Sequence, residues 1–277
     1  MSRWPVAVVM ALSLLTACTA PVALVPTPTP LPPPVTPQLV QIACPENLIP
    51  LMMALASAYQ REAPAVQLVV VERADTLAYQ ALVNGDVEIA ALTWLPTSLP
   101  EAAWRVPFAR DGLAVVVNTR NGLPGLTLDQ LRQLFGGRVE DWEPWGGLPG
   151  APQLISREEA SGDFLFFQAQ AMRDARVALT ALLAPTSAAM LDHVGNDALA
   201  VGYLSTAWLS GNVRALTIEG IPPVSETIAA GLYPLSRDLQ FVTLGEPQGA
   251  ARDFIQWTLG PQGQNIVAAQ RFTPLPE

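Results

Sequence analysis

One short stretch carries the residue types that suit the capture of a small anion: Ser156-Arg157-Glu158-Glu159-Ala160-Ser161-Gly162-Asp163-Phe164. Leu154 and Ile155 close an apolar run before it, and Phe164, Phe167, Ala171 and Met172 recur after it at helical spacing. The pattern predicts a strand end feeding a helix, with Ser161 and Gly162 in the capping turn. A helix start leaves backbone N–H groups unpaired and carries the positive end of the helix dipole. With the Ser161 hydroxyl and the fixed cation of Arg157, that start makes a cradle for a small anion. An ordinary capped helix with a surface arginine explains the same residues, and from this stretch alone it is the simpler account.

Other chemistry-bearing residues are sparse. His193 is the single histidine, which excludes a histidine-based zinc cluster, and it reads as an exposed helix residue. Glu158 and Glu159 are neighbouring acids, but adjacent residues on one backbone rarely converge on one bond, so paired-carboxylate hydrolysis is disfavoured. No Ser–His–Asp ordering exists beyond that one histidine. No catalytic residue, metal or cofactor is expected.

The elements around the stretch set its context. Pro5 to Leu15 is an apolar segment of signal-peptide length following Arg3, and it ends in Leu15-Thr16-Ala17-Cys18. This looks like a bacterial lipobox: residues 1–17 form a lipoprotein signal peptide, and Cys18 is the lipid-modified residue, carrying a fatty acid such as palmitate. Cys44 is then left without an intrachain partner and reads as a buried small residue. Residues 18–38 form a tether rich in proline and threonine, with eight prolines and no charge. Extended at ~3.1 Å per residue, it would reach roughly 60 Å.

The remaining chain is long enough for two domains. Its basic residues are all arginine, and the formal net charge of the whole sequence is -9. An acidic chain without a basic face argues against nucleic acid or anionic lipid as the main partner.

Strands are predicted at Leu39–Ala43, Val66–Val71 and Val87–Leu92, with helices at Leu48–Arg61 and Leu77–Val83 between them. Such a βαβαβ run implies a parallel sheet with right-handed crossovers. The loops Cys44–Asn47, Glu72–Thr76 and Thr93–Thr97 then face one crevice at the strands' carboxyl ends. The run Val66–Val71 reads as a strand buried on both faces. Further strands are expected at Gly112–Asn118, Ala200–Leu204, Val213–Ile218 and Leu239–Leu244. A capping box at Thr127 opens the helix Leu128–Phe135, helical segments continue to about His193, and Gly249–Leu259 and Gly263–Gln270 close the chain.

Several ordered pieces resemble the phosphate-binding subunits of bacterial phosphate ABC importers, which have the type II periplasmic-binding-protein fold. They are Asp111 to Asn118, Leu126 to Leu131, Phe135-Gly136-Gly137 through Trp142 to Gly146-Gly147, and Arg157 with Ser161-Gly162. Ala200-Val201-Gly202-Tyr203 and Tyr233 to Arg237 follow, and Cys44 to Leu51 and Asn84 to Ala90 match more weakly. The resemblance implies an α/β fold of two lobes, each a mostly parallel sheet flanked by helices, with two crossing strands as hinge. Lobe one would be residues 39–115 plus 232–277, and lobe two residues 116–231. A small anion, phosphate or a relative, would be clamped between the lobes, and an inner-membrane ABC permease would read the closure. The protein would be a monomer outside the cytoplasm, held at the membrane by its lipid. Tyr203, Arg237, Trp142 and Trp145 fall in landmarks with a structural role, and Trp94 packs near the crevice.

Carried over position by position, Arg157, Ser161 and Gly162 persist in the family's anion pocket. The threonine after the glycine is replaced by Asp163. The first-loop hydroxyl falls at Glu46 or Asn47, and the hydroxyl loop after the second strand aligns near Asp75 and Thr76. The family's one acceptor carboxylate falls at Thr93. A carboxylate ~4 Å from a unit anion costs about 4 kcal/mol at an effective dielectric of 20, whereas a helix dipole returns only about 0.3–1 kcal/mol. Phosphate therefore survives as ligand if Asp75 or Asp163 takes over as acceptor and the other turns outward or is protonated. Asp163 also has a plainer explanation, as an acidic residue in a helix's first turn that contacts no ligand. The competing function is a surface receptor or sensor of the same fold that neither transports nor binds phosphate.

Overall fold

β-branched and apolar runs alternating with helical segments build an α/β fold of eleven strands and eight α-helices in the computed structural model, whose described residues are 1, 37–96, 100 and 102–276. The chain divides into Met1–Val35 and Thr36–Glu277. The expected leader beyond Met1, Cys18 and the tether as far as residue 36 lie outside the described residues, as does Thr97. Among the described residues no helix is long and apolar enough to cross a membrane.

The expected βαβαβ unit is present as β1 (Gln38–Cys44), α1 (Ile49–Glu62), β2 (Val66–Glu72), α2 (Asp75–Asn84) and β3 (Ile89–Leu92), with β2 and β3 both parallel to β1. Gly85, at φ 78°, supplies the left-handed residue that ends α2. β2 is not buried on both faces: only Leu68 is fully enclosed, because β2 is the sheet's edge and Gln67 and Glu72 face outward.

Next come β4 (Ala103–Asn118), β5 (Gly125–Leu126), α3 (Leu128–Phe135), β6 (Gln153–Ser156), α4 (Gly162–Phe167), β7 (Leu182–Leu183) and α5 (Ser187–Asn196). They are followed by β8 (Ala200–Ser205), β9 (Val213–Ala215), β10 (Thr217–Ile218), α6 (Ser225–Ala229), β11 (Ser236–Leu244), α7 (Gly249–Leu259) and α8 (Pro261–Ala269). The Thr127 capping box forms, with Thr127 and Gln130 exchanging side-chain and backbone hydrogen bonds. β4 starts well before Gly112, since Arg105, Pro107 and Arg110 hide a strand from an apolar-pattern reading. The expected strand Val213–Ile218 breaks at buried Leu216: β9 pairs with β4 and β10 with β5. The span from α4 to His193 is not continuously helical. It passes through a π turn at Gln168–Met172 and the short strand β7 before α5 begins.

The main sheet runs β2-β1-β3-β11-β4-β8-β6-β7, with β9 also on β4. β11 is antiparallel to β3 and β4, and β4 is antiparallel to β8. The two long strands therefore link a parallel group, β2-β1-β3, to a second group, β8-β6-β7. Alternate residues of each group feed cores on opposite faces. Ile42 packs with Leu51, Phe108, Phe241 and Phe254, while its neighbour Ala43 packs with Ala78, Leu82 and Leu92. Likewise Val115 joins Phe135, Trp142, Phe167 and Tyr203, while Val116 joins Ile155, Met190 and Val194.

Phe167 is fully buried and stacks on Tyr203 with ring centroids 4.1 Å apart. Its truncation leaves a cavity under the β6–α4 turn. Phe167→Ala should lower the unfolding free energy by about 3–5 kcal/mol, seen as a lower denaturant midpoint at unchanged slope. A loss below ~1 kcal/mol would mean this core is not what holds the turn.

Candidate functional site

The residues singled out in the sequence come from turns at strand ends. Glu46 and Asn47 lie in a 3-10 turn after β1, Asp75 opens α2 after β2, and Thr93 follows β3. Arg157 follows β6, and Ser161, Gly162 and Asp163 start α4. The parallel register of β1, β2 and β3 brings the first three turns to one end of the sheet.

Arg157 is 3% exposed and held from several sides. Its backbone N–H donates to Tyr203 Oη (3.3 Å), which also bonds Ser156 Oγ (2.8 Å). Its Nη1 lies 3.0 Å from Glu46 Oε1 and 3.5 Å from Asp163 Oδ2, and its Nη2 donates to the Pro185 carbonyl. Glu158 approaches Nε at 3.4 Å. Glu46 Oε1 also accepts from Ser187 N and Oγ, both at 2.8 Å. Burial pushes the Glu46 carboxyl up, while the Arg157 guanidinium and Ser187 pull it down.

Asp163 faces inward, 1% exposed. Its Oδ1 lies 2.6 Å from Arg237 Nη2, and Asn47 Nδ2 donates to both carboxylate oxygens at 3.2 and 3.3 Å. Arg237, at the start of β11, also holds Asp111 Oδ2 through Nη2 (2.9 Å) and Nε (3.2 Å), and its guanidinium lies over the Phe166 ring. Asp111 Oδ1 accepts from Ser205 and Thr206. The carboxylates of Asp163 and Asp111 keep the Arg237 guanidinium firmly protonated despite its burial. Trp208 Nε1 donates to the Asn47 carbonyl. Two buried polar atoms in this cluster have no partner among the described residues: Arg237 Nη1 and Asn47 Oδ1.

Asp75 makes the second carboxylate centre. Its Oδ1 accepts from Thr93 N (2.7 Å) and Thr93 Oγ1 (2.9 Å), and its Oδ2 accepts from Gly162 N (2.8 Å). Gly162 has to lack a side chain: a Cβ there would sit 2.2 Å from Thr93 Oγ1 and 2.5 Å from Asp75 Cγ.

Glu46, Asn47, Asp75, Thr93, Arg157, Gly162 and Asp163 thus lie together, bonded chiefly to one another. Neither aspartate turns outward. The Gly162 amide serves Asp75, and the Ser161 hydroxyl caps its own turn by accepting from Asp163 N. Thr76 donates both its hydroxyl and its amide to the Ala160 carbonyl, in the turn before Ser161, and touches neither carboxylate centre. Asp163 is more than a first-turn acid, since both arginines hold it. Arg237, Asp111 and Ser187 were missed as site residues. Arg237 steadies the framework through Asp111, and its second contact, to Asp163, leaves no signal in the sequence. His193 is exposed on α5, and Cys44 is a buried free cysteine whose thiol burial pushes well up. Trp142 is buried, and Trp94 is partly buried against the same core. Among the described residues no cluster of His, Cys, Asp and Glu is suited to a metal. A cavity of about 790 Å³ beside the site reaches Ser156, Arg157, Glu158 and Phe164 but none of Asn47, Asp75, Thr93, Asp163 or Arg237.

A family model described as a PBP superfamily domain matches residues 31–262. The chain belongs to the PBP superfamily. Among curated proteins it is similar to Phosphate-binding protein PstS of Bacillus subtilis, 28% identical over 166 residues, or 59% of this chain and 55% of that one. The chain therefore matches about half the length of that relative. Phosphate-binding protein PstS of Pseudomonas aeruginosa is 27% identical over 266 residues, covering 83% of this chain and 81% of the relative. Among solved structures, a putative phosphate ABC transporter substrate-binding protein with bound phosphate from Clostridium perfringens superposes with a TM-score of 0.79 at 23% identity. An ABC-type phosphate transport receptor from Vibrio cholerae gives 0.76 at 24%. Each alignment covers 86% of this chain and 100% of the other. These likenesses bear out the type II periplasmic-binding-protein fold and the resemblance read in the sequence.

Burial holds the Asp75 carboxyl above the usual carboxylate range, opposed by its Thr93 hydrogen bonds and reinforced by Asp163. A carboxyl raised in this way keeps its proton in the folded state after the unfolded chain has released it. Its stabilising contribution is full below about pH 4 and is lost as pH rises through the folded value. The wild type should therefore gain stability relative to Asp75→Asn as pH falls from 7 towards about 4, measured by urea unfolding at each pH. A gap that stays level across that range would contradict the assignment.

Proposed function

We propose that this protein is the extracytoplasmic solute-binding subunit of an ABC importer, taking phosphate or a related small oxyanion without covalent chemistry. The ligand lies between a lobe of residues 39–115 plus 232–277 and a lobe of residues 116–231, with β4 and β11 as hinge. Lipidation at Cys18 and the tether at 18–38 hold the protein, a monomer, at the membrane, where a permease reads the lobe closure.

One observation supports this reading above the others. A carboxylate held by two buried guanidiniums and an amide is how a protein holds an oxyanion, and here Asn47, Arg157 and Arg237 gather around Asp163 in this way. The donors come from both proposed lobes and from the hinge. The names of the curated relatives and of the superposed structures add phosphate as the first ligand to try.

A second reading has its own support: a surface receptor or sensor of the same fold that binds no phosphate. Asp75 and Asp163 both face inward, and a second charge of like sign about 4 Å from a bound anion costs about 4 kcal/mol at an effective dielectric of 20.

Calorimetric titration with phosphate, sulfate and molybdate separates the two. The importer reading expects heat with phosphate, weaker than a site without inward carboxylates would give, and its disappearance in Arg157→Ala. Silence with all three anions at millimolar concentration selects the sensor.

A further inference from the structure

We propose that Asp163 is the resident anion of this site: its carboxylate occupies the position of the oxyanion, so a solute binds only by displacing it, and the tie it makes keeps the empty protein closed. This rests on the oxyanion-receptor reading above and adds what sets its affinity.

Three features lead there. Among the described residues, Asp163 alone of the neighbouring carboxylates touches both guanidiniums. Glu46 and Glu158 reach only Arg157, Asp111 reaches only Arg237, and Asp75 is taken up by Thr93 and Gly162. Its place in the first turn of α4 does not require this orientation, because Ser161 already caps that turn through the Asp163 amide. The carboxylate also fills the position incompletely. Arg237 Nη1, a donor, and Asn47 Oδ1, an acceptor, are buried and have no partner among the described residues, on groups that bond Asp163. Leaving such atoms unpaired is costly. An ionised carboxylate has no hydrogen to give Asn47 Oδ1, and its oxygens as placed leave Arg237 Nη1 unreached. A tetrahedral oxyanion that keeps one proton offers further acceptor oxygens to the arginine and a hydroxyl to the asparagine. That chemistry favours hydrogen phosphate over sulfate, which carries no proton at neutral pH.

The bonds of Asp163 also carry the second half of the proposal, the closed empty state. They join α4 to the turn after β1 and to the first residues of β11. These segments belong to the two lobes and the hinge, so removing the carboxylate cuts charged ties between them.

The test compares the wild type with Asp163→Thr, titrated with inorganic phosphate and with sulfate, alongside small-angle scattering without ligand. Asp163→Thr should bind phosphate at least a hundredfold more tightly than the wild type and favour it over sulfate. Its radius of gyration should exceed that of the wild type and fall back on phosphate addition. Equal phosphate affinity in the two proteins overturns the proposal and leaves the receptor reading standing. If neither protein binds either anion, but Asp163→Thr is still expanded, the receptor reading fails and the tie stands. No binding and no expansion overturns both. Should Asp163→Thr fail to fold, Asp163→Asn preserves the shape of the side chain, and phosphate should raise its Tm more than that of the wild type. An equal rise in the two counts against the proposal.

Discussion

Two guanidiniums almost shut off from water cannot stay there alone. Taking each ion out of water costs several kcal/mol, and only close carboxylates with well-formed hydrogen bonds offset that cost. The Arg237 side chain is 3% exposed, and those of its partners Asp111 and Asp163 are fully enclosed. Arg157 is as deeply buried and leans on Glu46, Glu158 and Asp163. The turns after β1, β6 and β7 and the start of β11 are placed by this constraint. Each one delivers either a charge or the hydrogen bond that steadies a charge.

The rest of the fold makes that constraint satisfiable. Cores on both faces of β1 and β3, and again on both faces of β4 and β8, fix the strand ends from which the charged turns project. Tyr203 shows the link at the level of one side chain. Its ring is part of the Phe135–Phe167 aromatic cluster, while its hydroxyl bonds Ser156 and the Arg157 amide. Apolar packing thus positions a polar loop through a single residue.

Local chemistry was legible in the sequence wherever one segment carried it. Arg157, Ser161, Gly162 and Asp163 announce themselves within seven positions, and the βαβαβ alternation and the Thr127 capping box were readable for the same reason. Arg237 was not legible as a site residue. Its partners lie 126 and 74 residues away, and no periodicity reports a contact between charges so far apart in sequence. Ser187, which serves Glu46 from 141 residues away, escaped for that reason too. The first half of β4 was hidden by its arginines and proline. The edge position of β2 could not be seen from a run of valines that would suit a central strand equally well.

The Asp75–Thr93 pair has a consequence for how such a site can change. The carboxylate of Asp75, at the start of α2, and the hydroxyl of Thr93, just after β3, are bonded to each other. A carboxylate placed at position 93 alone would set two acids face to face. Removing the carboxylate at position 75 alone would strip the Gly162 amide of its acceptor. Acid and hydroxyl can trade places here only by moving together, or through a form in which both positions are neutral.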